Sequence, residues 1–446
     1  MLEEKKQEKI QCDILIRDCS ALVEGMQIKE HLAIAIKDGK ILDILPQAQA
    51  GKYEAQEIIT EQDKLWLPGL VDAHMHTGQQ LLKGRVLDEL PMIWTRIMLP
   101  FESTMSAEKM RLSANVAALE MIACGTTGFI DAGSYYMEEA GRIYQKSGLR
   151  GALSHSTMDQ GNFPDSIKET AEEALAKTDA LYAEFHNKGN LKVFYELRAL
   201  MNCSEKLICG AAERAQSRKT YLQAHMNEYA GEVNYTLERY QLRPFEYLAK
   251  LGVVRENFLA AHCLMLSARE RTILSDNKVK VVHCPFSNCG KGVPDTPAML
   301  EAGISVSLGT DGAAHGGLSL WNEMKIFRSV MNAFWGTRLA EPAIMPAKEI
   351  LRMAFGGSGL LCEGINNSDG LTIGAPADMI ALDWSSIHLC SSMNPLNSLL
   401  ECVNSGDVCD SMVAGEFLMR NRDFLTLDKE KITHELKEYI KIEQGR

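Results

Sequence analysis

Between residues 68 and 360 the chain alternates short apolar runs with helical patterns, and this alternation constrains its fold more than any other feature. Strands and helices in alternation are typical of βα units, which build a parallel sheet. Eight candidate strands occur, at residues 69–76, 128–132, 151–154, 191–197, 221–225, 258–262, 279–283 and 304–308. Eight units predict an α/β fold of the (β/α)8 TIM-like barrel type, whose chemistry lies at the C-terminal ends of the strands.

The first helix of this region is the clearest. Ser106 is a candidate N-cap, Glu108 in the first turn favours the helix dipole, and Gly125 can end the helix. Between them, apolar residues recur with a helical period: Met110, Ala114, Ala117, Ala118 and Met121. We therefore expect this helix to pack on the sheet through that face.

The two chain ends contain β-like runs. One lies within residues 11–67, where Asp38-Gly39 is a strong hairpin signal, and the other covers 379–383 and 411–419. Neither piece is large enough to be stable alone, so we expect the ends to pair into one β-sandwich, followed by a charged helix at 427–443. The predicted domains are 1–67 (first part of the sandwich), 68–360 (barrel) and 361–446 (second part and C-terminal helix).

Histidines gather at the ends of the predicted strands. His74 and His76 alternate on one strand and can reach the same metal ion, although an isolated pair of this kind is more often a surface feature. Three more histidines and one aspartate end later strands: His225, His262, His283 and Asp311. Because a barrel brings its strand ends together, this set predicts a metal site.

Bulk properties exclude several classes of protein. A net charge of −12 argues against nucleic-acid binding, and no apolar run approaches the ~20 residues of a membrane span. The charged start, residues 1–9, does not resemble a secretory signal. Twelve dispersed cysteines, with Cys284 and Cys289 the nearest to a metal-binding spacing, favour reduced thiols. We expect a cytoplasmic protein with a small-molecule substrate.

Four motifs, taken in order, resemble the amidohydrolase superfamily, a family of metal-dependent barrels with a sandwich built from both chain ends. They are Pro68-Gly69-Leu70-Val71-Asp72-Ala73-His74-Met75-His76, Gln223-Ala224-His225-Met226-Asn227-Glu228, Ala261-His262-Cys263 and Gly309-Thr310-Asp311-Gly312. Within it the chain is most similar to the aminohydrolase branch of methylthioadenosine/S-adenosylhomocysteine deaminases and triazine hydrolases. The residues that carry this closer similarity are Leu81-Leu82-Lys83-Gly84-Arg85, Leu99-Pro100-Phe101-Glu102 and Gly309-Thr310-Asp311-Gly312-Ala313-Ala314.

The resemblance implies a role for each motif residue. The metal ligands would be His74, His76, His225 and Asp311. Glu228 would be the proton shuttle, and His262 would hold the metal-bound water or the reacting group, so that Glu228, His262 and Asp311 form the catalytic set. Binuclear relatives carry a lysine at the end of the fourth strand, whereas Lys192 begins this strand and Arg198 follows it. One metal ion per chain is therefore expected.

The chemistry of these residue types fits those roles. Three imidazoles and a carboxylate suit zinc, with iron or manganese as alternatives. Such an ion lowers the pKa of a bound water from 15.7 toward ~7 and so supplies hydroxide at neutral pH. Glu228, three residues past a ligand, can carry a proton to a ring nitrogen while hydroxide attacks the ring carbon.

The residues expected to contact the substrate follow the family pattern less closely. Glu102 falls where adenosine-type deaminases bind ribose hydroxyls, and the alternative is a carboxylate that only flanks a helix. His155 and Arg198 stand where those deaminases have an arginine and a histidine. Arg198 could bind a carbonyl, carboxylate or phosphate, or form a structural ion pair. His283 could support the site or only pack, and His315 could face the pocket or begin the next helix.

The sequence predicts a metal-dependent hydrolytic deaminase of an amino-substituted nitrogen heterocycle, such as a purine or purine nucleoside derivative. A chlorohydrolase or cyclic-amide hydrolase could use the same residues. A scaffold without activity would be expected to lack ligands, and all four are present together with Glu228. The branch that the chain resembles often forms homodimers or homotetramers, which we expect here too.

Overall fold

The computed structural model describes residues 9–89 and 93–445. The charged segment 1–8, in which we expected no secretory signal, lies outside these ranges. The strands are β1 (Ile10–Val23), β2 (Gln27–Lys37), β3 (Lys40–Pro46), β4 (Tyr53–Thr60), β5 (Lys64–Pro68), β6 (Leu70–His76), β7 (Thr126–Asp131), β8 (Arg150–Leu153), β9 (Leu191–Val193), β10 (Tyr195–Leu197), β11 (Leu222–Met226), β12 (Phe258–His262), β13 (Lys280–His283), β14 (Ser305–Leu308), β15 (Asp311–Gly312), β16 (Met379–Asp383), β17 (Val408–Val413), β18 (Glu416–Arg420) and β19 (Asp423–Phe424).

The α-helices are α1 (Leu99–Glu102), α2 (Ala107–Ala123), α3 (Met137–Ser147), α4 (Ala171–Phe185), α5 (Glu205–Ser217), α6 (Ala230–Tyr240), α7 (Pro244–Lys250), α8 (Ala268–Asp276), α9 (Pro285–Asn288), α10 (Thr296–Glu301), α11 (Leu320–Met331), α12 (Thr337–Leu339), α13 (Ala347–Gly356), α14 (Ser358–Leu361), α15 (Ile387–Cys390), α16 (Pro395–Glu401) and α17 (Lys429–Glu443). Within the described residues, no helix is both long and apolar enough to cross a membrane.

Two five-stranded parallel sheets form the centre of the molecule. Their strand orders are β15-β6-β7-β8-β9 and β10-β11-β12-β13-β14. At one junction only Phe194 separates β9 from β10, and its N–H donates to the carbonyl of Leu153 at 2.9 Å. At the other, the N–H of Thr310 donates to the carbonyl of His74 at 3.1 Å. The predicted α/β class with parallel strands is confirmed, and the eight predicted strands lie within two residues of the observed ones.

Several central strands contribute apolar side chains to two clusters, as β12 and β13 show. In β12, Phe258 and Ala260 belong to the large outer cluster with the helices, whereas Leu259 belongs to an inner one. In β13, Val281 and Val282 divide in the same way. Alternate residues point to opposite faces of a strand, so these two strands are buried on both faces.

Helix α2 agrees with its prediction. The Ser106 hydroxyl accepts from the N–H of Lys109 at 3.2 Å, which caps the helix, and the predicted apolar face is fully buried. Gly125 follows with φ +80°, a left-handed conformation that glycine adopts without strain. The helix ends where the sequence predicts.

The two chain ends meet in one nine-stranded sheet. The order is β19-β18-β17-β16-β5-β1-β2-β3, and β4 pairs with β1. The pairing of β5 with β16 joins the N-terminal part to the C-terminal part, as expected. The hairpin at Asp38 and Gly39 is confirmed, since both have positive φ and the N–H of Asp38 donates to Asp13 Oδ2 at 2.7 Å.

Candidate metal centre

The structure brings the predicted metal ligands together at the C-terminal ends of β6, β11 and β12 and at the start of β15. His74, His225, His262 and Asp311 each offer one ligand atom, and these atoms all lie within 4.8 Å of one another. His76 joins the same group, because its Nε2 lies 3.1 Å from His225 Nε2 and 3.2 Å from Asp311 Oδ1. The cluster therefore contains the four predicted ligands and also His262.

This cluster fits a divalent cation. The Nε2 atoms of His74 and His262 are buried and find no hydrogen-bond partner within residues 9–89 and 93–445. Burial, and then the charges of His76 and His262, hold the pKa of His74 well below its ordinary value, so that this ring is neutral. Neutral imidazole nitrogens beside a carboxylate are the ligands that zinc prefers.

Hydrogen bonds fix the orientation of two of these side chains. Asn288 Oδ1 accepts from His262 Nδ1 at 3.0 Å, which leaves the Nε2 lone pair of His262 free for the site. The Ser287 hydroxyl donates to Asp311 Oδ2 at 2.5 Å. Arg198 Nη1 lies 3.2 Å from His76 Nδ1, on the side of that ring away from the cluster.

Glu228 stands at the edge of the cluster, where the sequence predicts a proton shuttle. Its Oε1 lies 3.8 Å from His262 Nε2 and accepts from Lys291 Nζ at 2.6 Å. Burial opposes ionisation, but the charges of His262 and Lys291 outweigh it and lower the pKa of Glu228. The lowered pKa favours the ionised carboxylate, which is the form that can act as a base.

The sequence analysis missed Lys291, Ser287 and Asn288, which lie on the segment after β13. Lys291 Nζ donates to Ser287 Oγ at 2.7 Å and lies 3.9 Å from Asp311 Oδ2. The sequence signal that could have found them is position, since this segment follows the strand that ends at His283. Its other sequence feature is the spacing of Cys284 and Cys289.

Glu102 and Arg198 form a buried ion pair with each other. Arg198 Nη2 donates to Glu102 Oε1 at 3.0 Å and to Oε2 at 3.2 Å, and Gln79 Nε2 donates to Oε1 at 2.8 Å. Only 3% of the Arg198 side chain and 1% of the Glu102 side chain are exposed. Of the two roles that the sequence left open for Arg198, this is the structural ion pair.

Two cavities flank this ion pair. Arg198 borders a cavity of about 70 Å3 at the metal cluster, which Glu228 and His315 also line. Glu102 borders a separate cavity of about 430 Å3, which His155 also lines. Although larger, the second cavity contains no residue of the metal cluster, and we place the chemistry in the first.

The three remaining residues that were expected to contact the substrate, His155, His283 and His315, lie in different parts of the structure. His155 Nε2 lies 2.9 Å from Glu169 Oε2, in the larger cavity. His283 is fully buried behind the cluster, where its Nδ1 donates to the carbonyl of His262 at 2.9 Å. Burial lowers the pKa of His283 to about 4. His315 lies in a short 3-10 turn before α11 and lines the metal cavity.

Breaking the Arg198–Glu102 pair is expected to destabilise the protein strongly. Arg198→Met leaves the Glu102 carboxylate buried without its cation, which typically costs about 3 to 5 kcal/mol. Urea unfolding of the metal-free variant measures this cost. The double variant Arg198→Met/Glu102→Leu should recover part of the loss, because no unpaired charge then remains. Simple additivity of the two single changes would show that the residues are not coupled.

Glu232 gives a testable dependence of stability on pH. Burial raises its pKa from 4.5 to about 8. Between these values the folded protein keeps a proton that the unfolded chain has lost, so stability falls as pH rises, by up to about 1.4 kcal/mol per pH unit. Glu232→Gln should remove this fall. Urea unfolding of both metal-free proteins at pH 5, 6.5 and 8 tests it, and parallel curves would contradict it.

Comparison with known proteins gives consistent matches over most of the chain. The model of the amidohydrolase family matches residues 65–418. A 5-methylthioadenosine/S-adenosylhomocysteine deaminase of Syntrophobacter fumaroxidans is 30% identical over 90% of this chain and 91% of that protein. A zinc-bound adenosine deaminase from Xanthomonas campestris has a TM-score of 0.91 at 24% identity, covering 98% and 100% of the two chains. A zinc-bound atrazine chlorohydrolase from Arthrobacter aurescens has a TM-score of 0.87 at 22% identity, covering 96% and 100%.

Proposed function

This chain belongs to the amidohydrolase family, and we propose that it is a mononuclear metalloenzyme that hydrolytically deaminates an amino-substituted purine or a similar heterocycle. It is a hydrolase of carbon–nitrogen bonds other than peptide bonds. The observation that carries the proposal is the convergence of His74, His225 and Asp311 with Glu228 at their edge. These residue types can supply the hydroxide and the proton transfer that deamination of a heterocycle uses.

We assign the metal to His74, His76, His225 and Asp311. Zinc is the proposed ion, since both structural relatives described above contain it and the neutral imidazoles suit it. When bound, such an ion would lower the pKa of a water molecule and so supply hydroxide at neutral pH. Lys192, which pairs with Glu363 at 3.3 Å, is not a candidate for bridging a second ion.

The protein's own groups handle the protons. Glu228 takes a proton from the attacking water and delivers it to the ring nitrogen, so that one carboxylate acts as base and then as acid. His262, held by Asn288, orients the reacting group. Lys291 donates a hydrogen bond to Glu228, and Ser287 donates one to Asp311. These two hydrogen bonds hold the carboxylates in place.

The fold proposed around this site is one (β/α)8 barrel over residues 68–360. The backbone contacts at both sheet junctions support joining the two parallel sheets into a closed ring. Residues 1–67 and 361–446 would then form the accompanying β-sandwich, ending in α17. The apolar cluster that Ile34, Trp66 and Met379 share supports a core between folded-over parts of the nine-stranded sheet.

Ammonia release by purified protein of known metal content tests the function. Adenosine derivatives, free purines, pterins, pyrimidines and triazines should be compared, with production of ammonia from one ring class as the expected result. The chlorohydrolase among the structural relatives keeps a second candidate open. Chloride release from chlorotriazines, or ring-opened acid from cyclic amides, without ammonia from any amino heterocycle would replace the deaminase assignment.

A further inference from the structure

Glu196 is a buried carboxyl group that lies next to the predicted metal ligand His225. Its Oε1 is 3.9 Å from His225 Nδ1, and none of the Glu196 side chain is exposed. Neither the metal assignment nor the proton transfer of the proposed reaction uses this residue. A buried carboxyl group is costly unless its oxygens have partners, so its presence beside a ligand needs a physical reason.

The strands place both side chains on the same face of the sheet. β10 pairs in parallel with β11, with Glu196 opposite Gln223. In β10 both neighbours of Glu196 belong to the large outer apolar cluster, and in β11 so do both neighbours of His225. Because successive residues of a strand point to opposite faces, Glu196 and His225 both point away from that cluster. His225 lies two positions past Gln223, so its side chain is the next one along this face.

The two facing atoms both lack a hydrogen-bond partner. Glu196 Oε2 accepts from the N–H of Thr157 at 2.9 Å, whereas Oε1 has no partner among residues 9–89 and 93–445. Within the same ranges His225 Nδ1 has none either, while Nε2 of that ring faces the cluster, 3.1 Å from His76 Nε2. Buried polar atoms are rarely left without a partner. An approach of about 1 Å would bring these two to an ordinary hydrogen-bond length.

We propose that Glu196 is a positioning residue for the metal, whose Oε1 accepts a hydrogen bond from His225 Nδ1 when Nε2 of that ring binds the ion. A neutral imidazole carries one ring proton, so a histidine that gives its Nε2 lone pair to a metal keeps this proton on Nδ1. Glu196 Oε1 is the acceptor next to that proton, and the contact fixes the tautomer and the orientation of the ring. The inference rests on the proposed metal site and names the residue that prepares one of its ligands.

The affinity of Glu196→Gln for zinc tests the proposal. Glutamine has nearly the same shape but only one acceptor oxygen, which cannot serve both the Thr157 N–H and the His225 Nδ1–H. We expect the dissociation constant, measured by competition with a chelator, to rise about 10- to 100-fold. The visible spectrum of the cobalt-loaded protein, which reports the ligands around the ion, should change as well.

Glu323→Gln is the matched control. Glu323 is also buried, and its carboxyl group accepts from the N–H of Phe286 at 2.8 Å, which the single oxygen of glutamine can still do. This variant should keep the wild-type zinc affinity and cobalt spectrum. If Glu196→Gln does not fold, a crystal structure of the zinc-loaded wild-type protein decides. His225 Nδ1 and Glu196 Oε1 within about 3.2 Å would support the inference, and a separation that stays at 3.9 Å would overturn it.

The outcomes separate this inference from the proposed function. Unchanged zinc affinity and cobalt spectrum in Glu196→Gln would overturn the inference, while ammonia release by the wild-type protein would still support deamination. Weaker zinc binding by this variant, with no ammonia from any heterocycle, would uphold the inference and remove the deaminase assignment. A wild-type protein that binds neither zinc nor cobalt would overturn both.

Discussion

Replacing His74 with alanine is expected to remove metal and activity together. His74 Nε2 is buried in the cluster without a hydrogen-bond partner among the described residues, so its loss creates a gap that no neighbouring group fills. Even residues that only support metal ligands cost about 10- to 100-fold when changed, and we expect more than 100-fold for this ligand. Metal content by mass spectrometry and the rate of ammonia release, measured on the same preparation, test this. Asp311→Ala should give the same joint loss.

His434→Ala is the matched control, since His434 is exposed on α17 and the substitution is the same. It should retain the metal and the wild-type rate. Far-ultraviolet circular dichroism should show equal helix content in both variants. A folded His74→Ala protein that keeps about one metal ion and most of its activity would show that His74 is not a ligand.

The central strands could be predicted from the sequence because a strand that is buried on both faces can be recognised from its own residues. Strands such as β12, buried on both faces, are continuous apolar runs that end abruptly at a histidine. The long β1 was less predictable. It pairs with β2 on one side and with β4 and β5 on the other, and a bulge near Asp18 shifts its register. Pairing of this kind depends on residues far apart in the chain.

The histidine cluster was predictable for a related reason. Parallel strands bring their C-terminal ends to one edge, so a residue type repeated at strand ends converges without knowledge of the loops. The ion pair between Glu102 and Arg198 was not predictable, because it joins a short helix to a strand end 96 residues later. Lys291 was missed for the same reason, since its position depends on the path of a loop.

Replacing Glu228 with glutamine is expected to keep the metal and abolish turnover. Glutamine has nearly the same shape but cannot accept a proton and pass it on. Loss of such a general acid–base group costs about 10^2- to 10^4-fold in kcat. Since Glu228 lies beside the metal cluster and is not one of its four assigned ligands, metal content should be unchanged. Steady-state ammonia release and metal analysis measure the two quantities separately.

Glu323→Gln provides the control for the same chemical change at a buried carboxyl group. Glu323 accepts from the N–H of Phe286 at 2.8 Å, and burial raises its pKa well above the ordinary value. Glutamine keeps the acceptor oxygen for this N–H, so the variant should support near-wild-type rates. If Glu228→Gln also turned over at such rates, the proton-shuttle assignment would be wrong. If it instead lost the metal, Glu228 would have to be counted among the ligands.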